Sequence, residues 1–371
     1  MKIAVISSFA RSLLNFRGPL IAEMVKHGHE VLALAPDHDD ATRSGLAKLG
    51  ARPIDYRLSR GGTNPLQDIA ALLELYRILR KHRPDVSFAY FVKPVIYGTL
   101  AARLAGVKRR YAMIEGMGFA FTSSEGQGWR HKALQAIVTG LFRLSLTFAT
   151  KLVLLNPDDR NEFLDRRLVR ANKTALLGGI GVDLDEWRYR TPTTDPITFL
   201  FVGRLLRDKG VEDYIAAARL IKKTHPAAKF LLVGGHDLNP AALPLSLAES
   251  WVAEGLVEWP GHVPVQAWFA RASVFVLPSY REGVPRSTQE ALAVGLPVIT
   301  TDVPGCRETV VDGVNGMLVP VRNPEALAEA MRFFVENSER IVPMGIESRK
   351  MACERFDVHR QNQKLLQLTD L

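Results

Sequence analysis

One stretch, residues 278–305, constrains the fold of this chain more than any other. Short apolar, β-branched runs lie at both of its ends, and the part between them fits a helix from about Pro285 or Arg286 to Val294. Proline is tolerated in the first turn of a helix, and Gly295 is suited to end one. The sequence therefore predicts a strand, a turn, a helix and a second strand, which is a βαβ unit.

Two glutamates flank the start of that helix, Glu282 in the turn and Glu290 in the second helical turn, with seven residues between them. The backbone N–H groups at a helix start attract anions, and Gly283 lets a diphosphate approach the backbone closely. The two carboxylates would then accept hydrogen bonds from hydroxyls on either side of the diphosphate. A sugar nucleotide carries such hydroxyls, on its ribose at one end and on its sugar at the other.

Residues 282–290, E-G-V-P-R-S-T-Q-E, resemble the Glu-x7-Glu signature of retaining glycosyltransferases of family four, which have the GT-B fold. The longer match through D-V-P-G-C-R-E-T-V-V-D-G-V-N-G-M-L-V-P resembles the bacterial branch that builds capsule, O-antigen and glycoprotein glycans. The resemblance covers nearly the whole chain and is densest over residues 197–320. It implies an α/β protein with two doubly wound parallel-sheet domains that face each other across a cleft.

Length and composition fit such a two-domain globular protein. The chain has 371 residues, of which 47% are hydrophobic and 23% charged. Its two cysteines, Cys306 and Cys353, lack metal-ligand spacing, which favours free thiols in the cytosol. The apolar run at the N-terminus is too short for a signal peptide, and no uncharged apolar run reaches the length of a membrane span. We therefore expect a cytoplasmic protein.

Positive charge is concentrated in the N-terminal half. Residues 1–180 hold 27 Lys and Arg against 15 Asp and Glu, whereas residues 181–371 hold 21 against 24. A basic half indicates an anionic partner, which is nucleic acid, an acidic membrane surface or a diphosphate-bearing substrate. A nucleic-acid binder would interleave aromatic and basic residues along a strand face. No convincing pattern of that kind is present, so we expect no nucleic-acid partner.

We expect residues 1–180 to form an acceptor-binding domain, with the C-terminal segment 356–371 crossing back onto it. No G-x-G-x-x-G motif follows the first strand, which argues against dinucleotide binding there. A helix is expected over residues 15–28. The carboxyl ends of the predicted strands gather candidate acceptor-binding residues at one sheet edge. These are Phe16, Arg17, Gly18, Lys93 and Gly118.

Glu115 reaches the same edge and is the candidate catalytic residue of this domain. The segments around it resemble acceptor-side motifs of the same branch, in which many relatives have a histidine at the position of Glu115. A carboxylate there would take a proton from an acceptor hydroxyl or hold the acceptor in place. The alternative is a structural glutamate in an ion pair.

Two apolar helices are predicted in this domain. One begins after Thr63 or Asn64, with Pro65 first and a basic C-terminal end. Its expected buried face is Leu66, Ile69, Leu73 and Tyr76. The other lies in the most apolar segment, 133–150, and is expected to be a core helix rather than a membrane span. Its expected buried residues are Leu134, Ile137, Val138, Leu141 and Phe148.

The loop before the second of these helices carries exposed aromatic residues, Phe119, Phe121 and Trp129. Together with the basic flanks of the helix, this loop indicates peripheral contact with an anionic lipid surface on the inner face of the cell membrane. Simple packing in the core is the alternative explanation of these apolar residues.

Residues 181–355 are expected to bind the nucleotide-sugar donor. The turn Gly203-Arg204 follows a predicted strand, and Lys209 precedes a predicted helix, so two cations can clamp a diphosphate. This arrangement matches the family's Gly-Arg…Lys-Gly element. A further strand is expected over residues 257–264. The resemblance implies donor contacts at Gly203, Gly234, Val263, Ser279, Gly283, Val284, Pro285 and Glu290.

The resemblance implies a hexosyltransferase that retains the anomeric configuration and requires no metal. The expected donor is a UDP-sugar carrying a hexose or N-acetylhexosamine, and the expected acceptor is a glycan on polyprenyl diphosphate. The expected catalytic residues are Glu282, Arg204, Lys209 and Glu115. The aspartates Asp183 and Asp185 are not expected to bind metal, because no third ligand is near. The alternatives are a transferase that acts on a soluble acceptor and a sugar-nucleotide epimerase of the same architecture.

Overall fold

Parallel strand pairing organises both halves of the chain in the computed structural model. The residues that the structure describes are 1–59, 64–116, 129–235 and 241–371. They divide into two compact units, one of Met1–Ile180 with His359–Leu371 and the other of Gly181–Val358. Each unit carries one parallel sheet with its helices, which confirms the expected α/β class and the two parallel-sheet domains.

The first unit contains a seven-stranded sheet. In chain order its strands are β1 Lys2–Ile6, β2 Glu30–Ala35, β3 Ala51–Asp55, β4 Val86–Tyr90, β5 Arg109–Ile114, β6 Lys151–Leu154 and β7 Thr174–Leu176. In space the order is β3-β2-β1-β4-β5-β6-β7, so the winding direction reverses between β1 and β4. Open parallel sheets bind ligands at such a reversal, outside the carboxyl ends of the strands. The predicted acceptor-side residues follow β1, β4 and β5.

Helices connect these strands and complete the first unit. They are α1 Ala10–Asn15, α2 Gly18–Lys26, α3 Asp40–Lys48, α4 Pro65–His82, a π-helical turn Pro94–Gly98 that continues into α5 Thr99–Leu104, α6 Trp129–Thr147, α7 Pro157–Asp165 and α14 Val358–Leu368. The helix expected over residues 15–28 is confirmed as α2, with narrower bounds, because Pro19 favours a helix start at Gly18. The short helix α1 before it was not expected.

The buried face of α4 differs from the one expected. Leu66, Ile69 and Leu73 are 76%, 54% and 45% exposed, whereas the helix buries Asp68, Ala71, Leu75 and Leu79. Asp68 can be buried because Lys93 Nζ donates to it at 2.7 Å and the Tyr97 hydroxyl at 2.9 Å. The expected buried face is wrong for the three exposed residues, whereas Tyr76 packs partly buried against the core. The partners of Asp68 come from a later segment and make a polar residue acceptable in the core.

The buried face of α6 also lies partly away from the expected residues. Phe142, Ser145 and Leu146 are buried, and the Phe142 ring lies 5.6 Å from that of Phe163 on α7. Ile137, which was expected to be buried, is 61% exposed. Among the described residues, no helix is both long and apolar enough to cross a bilayer.

The second unit contains a five-stranded sheet. Its strands are β8 Thr198–Val202, β9 Lys229–Val233, β10 Val274–Leu277, β11 Val298–Thr301 and β12 Gly316–Val319. They are ordered β12-β11-β10-β8-β9, so the winding reverses between β8 and β10. The accompanying α-helices are α8 Val211–Thr224, α9 Leu245–Ala253, α10 Gln266–Phe269, α11 Arg286–Val294, α12 Pro324–Glu336 and α13 Ile341–Arg355.

The strand expected over residues 257–264 is wrong. Glu258 makes a single parallel bridge to Leu231, through its N–H to Phe230 and its carbonyl to Leu232. The chain then reaches Pro260 and turns at Gly261, where φ is +79°. Proline has no N–H to donate, so the pairing ends after one residue.

The burial of α6 gives a stability prediction. Phe142→Ala should lower the free energy of unfolding of the first unit by about 3–5 kcal/mol, because it leaves a cavity beside Phe163. Ile137→Ala, on the same helix but exposed, is the matched control and should change stability by less than about 1 kcal/mol. Thermal and urea unfolding monitored by circular dichroism measures both variants, and equal effects would contradict the observed burial.

Candidate functional site

The turn after β10 and the start of α11 form the centre of the candidate donor site. Pro285 is the N-cap residue of α11 and provides no side-chain cap, and Gly295 ends the helix in the left-handed region at φ +89°. The predicted helix from Arg286 to Val294 is confirmed. Its first-turn N–H groups have no acceptor within the helix, so this end carries the positive pole of the helix dipole.

Close backbone contacts fix the shape of that turn. A Cβ atom on Gly305 would lie 2.2 Å from the carbonyl oxygen of Glu282 and 2.4 Å from that of Gly283. The Glu282 N–H also donates to the Pro304 carbonyl at 3.1 Å. Only a glycine permits the segment after β11 to approach the 282–285 turn in this way.

The structure brings Lys209, Glu282 and Ser279 together. The Lys209 ammonium donates to the Glu282 carboxylate, and the Ser279 hydroxyl donates to the same oxygen at 2.8 Å. Lys209 follows β8 and the other two follow β10, so the contact joins the two strand ends at which the winding reverses. Their side chains are partly shielded, with 19% of Lys209 and 12% of Glu282 exposed. A fixed cation beside a carboxylate is suited to binding a phosphate and a sugar hydroxyl side by side.

Glu290 lies on the inner side of α11 and is buried. Its carboxylate accepts a hydrogen bond from Arg286 Nε at 2.9 Å. Burial raises the pKa of Glu290 to about 7, although the charge and hydrogen bond of Arg286 act in the opposite direction. Glu290 can therefore exchange between acceptor and donor roles near neutral pH.

The remaining predicted donor residues surround the same strand ends. Gly203 N–H donates to the Val233 carbonyl, and a Cβ on Gly234 would lie 1.7 Å from the Gly203 carbonyl oxygen. Arg204 follows Gly203 and has an exposed side chain. Val263 lies two residues beyond Gly261, whose carbonyl accepts from the Gly234 N–H at 3.0 Å. The turns after β8 and β9 are thus joined to the loop around Val263.

Asp208 is a further residue at this site, and no sequence motif singles it out. Its backbone carbonyl accepts from the Tyr280 N–H at 2.8 Å, which links the turn after β8 to the turn after β10. Desolvation raises its pKa, while neighbouring Lys209 and Arg204 favour its ionised form. The signal available in the sequence was an acidic residue directly before Lys209, but acidic residues near a helix start are common.

At the edge of the first sheet, the structure brings Arg17 and Glu115 together. The Arg17 guanidinium donates to the Glu115 carboxylate and lies 5.0 Å from the ring centre of Tyr90. Arg17 is 1% exposed, whereas Glu115 is 14% exposed at its side chain. Arg17 thus directs its charge to Glu115 and not to solvent. Phe16 follows the end of α1, and Gly18 is the first residue of α2, so both flank Arg17 in the chain.

Hydroxyl groups connect this ion pair to the first strand. The Tyr90 hydroxyl lies 2.8 Å from Ser12 Oγ, which lies 2.8 Å from Ser7 Oγ. The Tyr56 hydroxyl donates to the Ser7 carbonyl at 2.8 Å. Burial raises the pKa of Tyr90. These hydrogen bonds fix the Tyr90 ring against which the Arg17 guanidinium lies, and so restrict the position of the arginine.

Lys93 is held separately from that pair. Its ammonium donates to Asp68 on α4, as described above, and 17% of its side chain is exposed. Gly118, together with Phe119 and Phe121, lies outside the described residues. The side chain of Trp129 also lies outside what the structure describes.

The Asp183 carboxylate is used in hydrogen bonds within its own turn. Asp183 Oδ1 accepts from the backbone N–H groups of Asp185 and Glu186, at 2.9 and 3.2 Å. The carboxylate therefore shapes the turn after Val182. Over the described parts of the chain, no group of three His, Cys, Asp or Glu side chains is arranged to hold a metal ion.

Two protein-family models match the chain. The model described as a glycosyl transferase 4-like domain matches residues 17–178, and the model described as glycosyl transferases group 1 matches residues 196–337. Each match falls within one of the two units: the first covers strands β2–β7 and the second covers β8–β12.

Curated relatives resemble most of the chain. An N,N'-diacetylbacillosaminyl-diphospho-undecaprenol alpha-1,3-N-acetylgalactosaminyltransferase of Campylobacter jejuni is 27% identical over 100% of this chain and 98% of that protein. A UDP-Gal:alpha-D-GlcNAc-diphosphoundecaprenol alpha-1,3-galactosyltransferase of Escherichia coli is 26% identical over 72% of this chain and 70% of that protein. Among solved structures, the Anabaena protein Alr3699/HepE, in complex with UDP and glucose, matches with a TM-score of 0.77 at 19% identity, covering 100% of both chains.

The pKa of Glu290 gives a prediction on pH and stability. Folding raises the pKa of Glu290 from 4.5 to about 7. Between these two pH values, the folded state therefore keeps a proton on Glu290 that the unfolded state has lost. The contribution of Glu290 to stability is therefore full below about pH 4.5 and falls as the pH rises through 7.

Glu290→Gln removes this dependence, so the variant should gain stability relative to the unsubstituted protein between pH 5 and pH 8, by up to about 3 kcal/mol. Thermal unfolding across that range measures the difference. Glu329→Gln, which removes a carboxylate that is 67% exposed, is the matched control for the loss of one charge. A gap that stays constant with pH for Glu290→Gln would contradict the raised pKa.

Proposed function

Since this chain belongs to the retaining glycosyltransferases of family four, with the GT-B fold, we propose that it transfers a hexose or N-acetylhexosamine from a UDP-sugar to a glycan on polyprenyl diphosphate. The observation that carries the donor half of this proposal is the contact of Lys209 and Ser279 with Glu282, beside the start of α11. Uridine and the lipid-linked acceptor are supported by the names of the curated relatives.

The second unit would bind the donor. Its diphosphate would lie against the start of α11, with Arg204 and Lys209 supplying positive charge. As the bond to the sugar breaks, negative charge develops on the departing diphosphate, and fixed cations stabilise that charge. This electrostatic term supports a reaction that requires no divalent metal.

Each carboxylate would bind hydroxyls at one end of the donor. Glu282 is held in place by Lys209 and Ser279 and would orient the transferred sugar, whereas Glu290 would accept from the ribose. We propose that the acceptor hydroxyl attacks the face from which the diphosphate leaves, so that the configuration at the anomeric carbon is retained. Glu115, held by Arg17, would orient the acceptor or take its proton.

An exposed helix face of the first unit suggests how a lipid-linked acceptor is reached. Leu66, Ile69, Leu73, Arg77 and Arg80 follow one another at steps of three or four residues along α4, and all five are exposed. This face is apolar in its N-terminal half and cationic in its C-terminal half. An interfacial helix presents the same pattern to acyl chains and lipid phosphates. We propose peripheral contact of this face with the anionic inner surface of the cell membrane.

Charge supports the same surface. The 27 Lys and Arg of residues 1–180 exceed the 15 Asp and Glu, so the whole N-terminal part favours an anionic lipid surface. A soluble acceptor remains the second candidate for the reaction, and it would leave the exposed leucines of α4 without a role.

The donor site gives a prediction on activity. Arg204→Ala and Lys209→Ala should each lower kcat by about 10²–10³, as expected for one lost donor to the transition state. The control Lys223→Ala removes an exposed cation at the end of α8 and should retain full activity.

Unfolding temperatures measured with UDP, GDP, ADP and NAD in the presence of EDTA identify the nucleotide. UDP at about 100 times its Kd adds about 2.7 kcal/mol of stability, and a response that needs added metal would contradict the proposal.

The α4 face gives a second prediction. The triple substitution Leu66→Ser, Ile69→Ser and Leu73→Ser should weaken binding to vesicles of phosphatidylglycerol and phosphatidylethanolamine about tenfold or more, because a buried leucine contributes about 1.5–3 kcal/mol. Ile346→Ser, which changes a 51% exposed residue of the second unit, is the control. Co-sedimentation measures binding, and UDP-induced stabilisation should be unchanged. Equal binding of all three proteins would point to the soluble acceptor.

A further inference from the structure

A buried glutamine occupies the position next to Glu290. Gln289 is fully buried in α11, and its side-chain amide forms hydrogen bonds in two directions. Nε2 donates to the carbonyls of Val284 and Pro285, at 3.1 and 3.3 Å, within the turn that begins at Glu282. Oε1 accepts from the backbone N–H of Gly181 at 2.9 Å. The turn of residues 282–285, at the proposed sugar-nucleotide site, is called the donor turn. The side chain of Gln289 thus joins the donor turn to Gly181, a residue 108 positions away in sequence.

Gly181 is the first residue of the second unit, directly after Ile180, at which the first part of the first unit ends. Its φ is +79°, and a Cβ atom there would lie 2.7 Å from Val358 Cα. Val358 is the last residue of the second unit, and the chain returns to the first unit at His359. The chain therefore enters and leaves the second unit at two residues that lie next to each other.

The chain passes between the two units at Ile180–Gly181 and again at Val358–His359, and the residues beside these points are called the crossings. Backbone hydrogen bonds join the two crossings. The Val182 N–H donates to the Phe356 carbonyl at 2.8 Å, and the Val358 N–H donates to the Val182 carbonyl at 3.0 Å. Residues 181–182 and 356–358 therefore behave as one short paired segment. Gln289 contacts that segment through the Gly181 N–H.

Because the Gln289 amide is buried, the loss of any of its hydrogen bonds would be costly. A buried N–H that loses its partner costs about 1–3 kcal/mol, and a buried amide is stable when its donor and acceptor sides are both bonded. Movement of the 284–285 carbonyls would therefore displace the Gln289 amide, and with it the hydrogen bond to Gly181. The neighbouring Thr288 donates from Oγ1 to the Pro285 carbonyl at 2.8 Å, a bond that stays within the donor turn.

We propose that Gln289 is a positioning residue that couples occupancy of the donor turn to the backbone where the chain passes between its two units. The side chain of Gln289 is fully buried, and it acts through the Val284 and Pro285 carbonyls. The inference rests on the proposed function, because it takes a nucleoside diphosphate to be the ligand of the donor turn.

Hydrogen–deuterium exchange with mass spectrometry tests the coupling on the full-length protein, with UDP and GDP as probes. In the unsubstituted protein, a bound nucleotide should slow exchange in peptides that cover 282–288 and also in those that cover 181–183 and 356–358. Gln289→Leu should keep the slowing at 282–288 and lose it at the crossings. Thr288→Val, which alters the same turn but not the contact with Gly181, should keep both.

Gln289→Met is a second variant in case Gln289→Leu does not fold. Methionine keeps the length of the side chain, but it neither donates to the two carbonyls nor replaces the amide acceptor for the Gly181 N–H, so this variant should also lose the nucleotide effect at the crossings. Steady-state kinetics should show a lower kcat for both Gln289 variants, with the nucleotide Kd changed by less than about threefold.

The outcomes separate this inference from the proposed function. Slowing at 181–183 that persists in both Gln289 variants, or that is absent from the unsubstituted protein while 282–288 responds, would overturn the coupling alone. No response to either nucleotide anywhere in the unsubstituted protein would overturn the proposed donor site, and the coupling with it.

Discussion

The reversal of winding between β8 and β10 is the constraint on which the donor side of this protein depends. At that point two neighbouring strands send their chains to opposite faces of the sheet, which leaves an opening beyond their carboxyl ends. The loops that border the opening are held together by the contact between Lys209 and Glu282, and by the hydrogen bond from Tyr280 to Asp208. The opening has rigid sides, because each side is anchored to a buried strand.

Much of that site could be predicted from the sequence, because its determinants are local. Pro285, Gly295 and the flanking β-branched runs fix the bounds of α11, and Arg204 and Lys209 lie close to a strand end by their position alone. The pairing of Lys209 with Glu282 could not be predicted in this way. It joins residues 73 positions apart, and only the packing of β8 beside β10 brings them together.

The helix α4 shows why periodicity alone misassigns a face. Two apolar stripes run along it, one through Leu66, Ile69 and Leu73 and the other through Ala71, Leu75 and Leu79. The first stripe has the larger side chains and was expected to be buried. The second stripe includes Asp68, and a charged residue argues against burial when the sequence of α4 is considered alone. Lys93 and Tyr97 reverse that preference by satisfying both oxygens of Asp68, and no local pattern in α4 announces them.

The acceptor side is organised around a buried charge rather than a helix start. Arg17 lies in the core of the first unit, so removing its partner would leave an uncompensated cation there, at a cost of about 3–5 kcal/mol. Glu115 is therefore required by the fold, and part of its carboxylate remains exposed. A neutral histidine at this position would not balance Arg17. The glutamate and the buried arginine thus form one ion pair, and the hydrogen bonds of Tyr90, Ser12 and Ser7 fix the ring against which Arg17 lies, at the point where the first sheet reverses its winding.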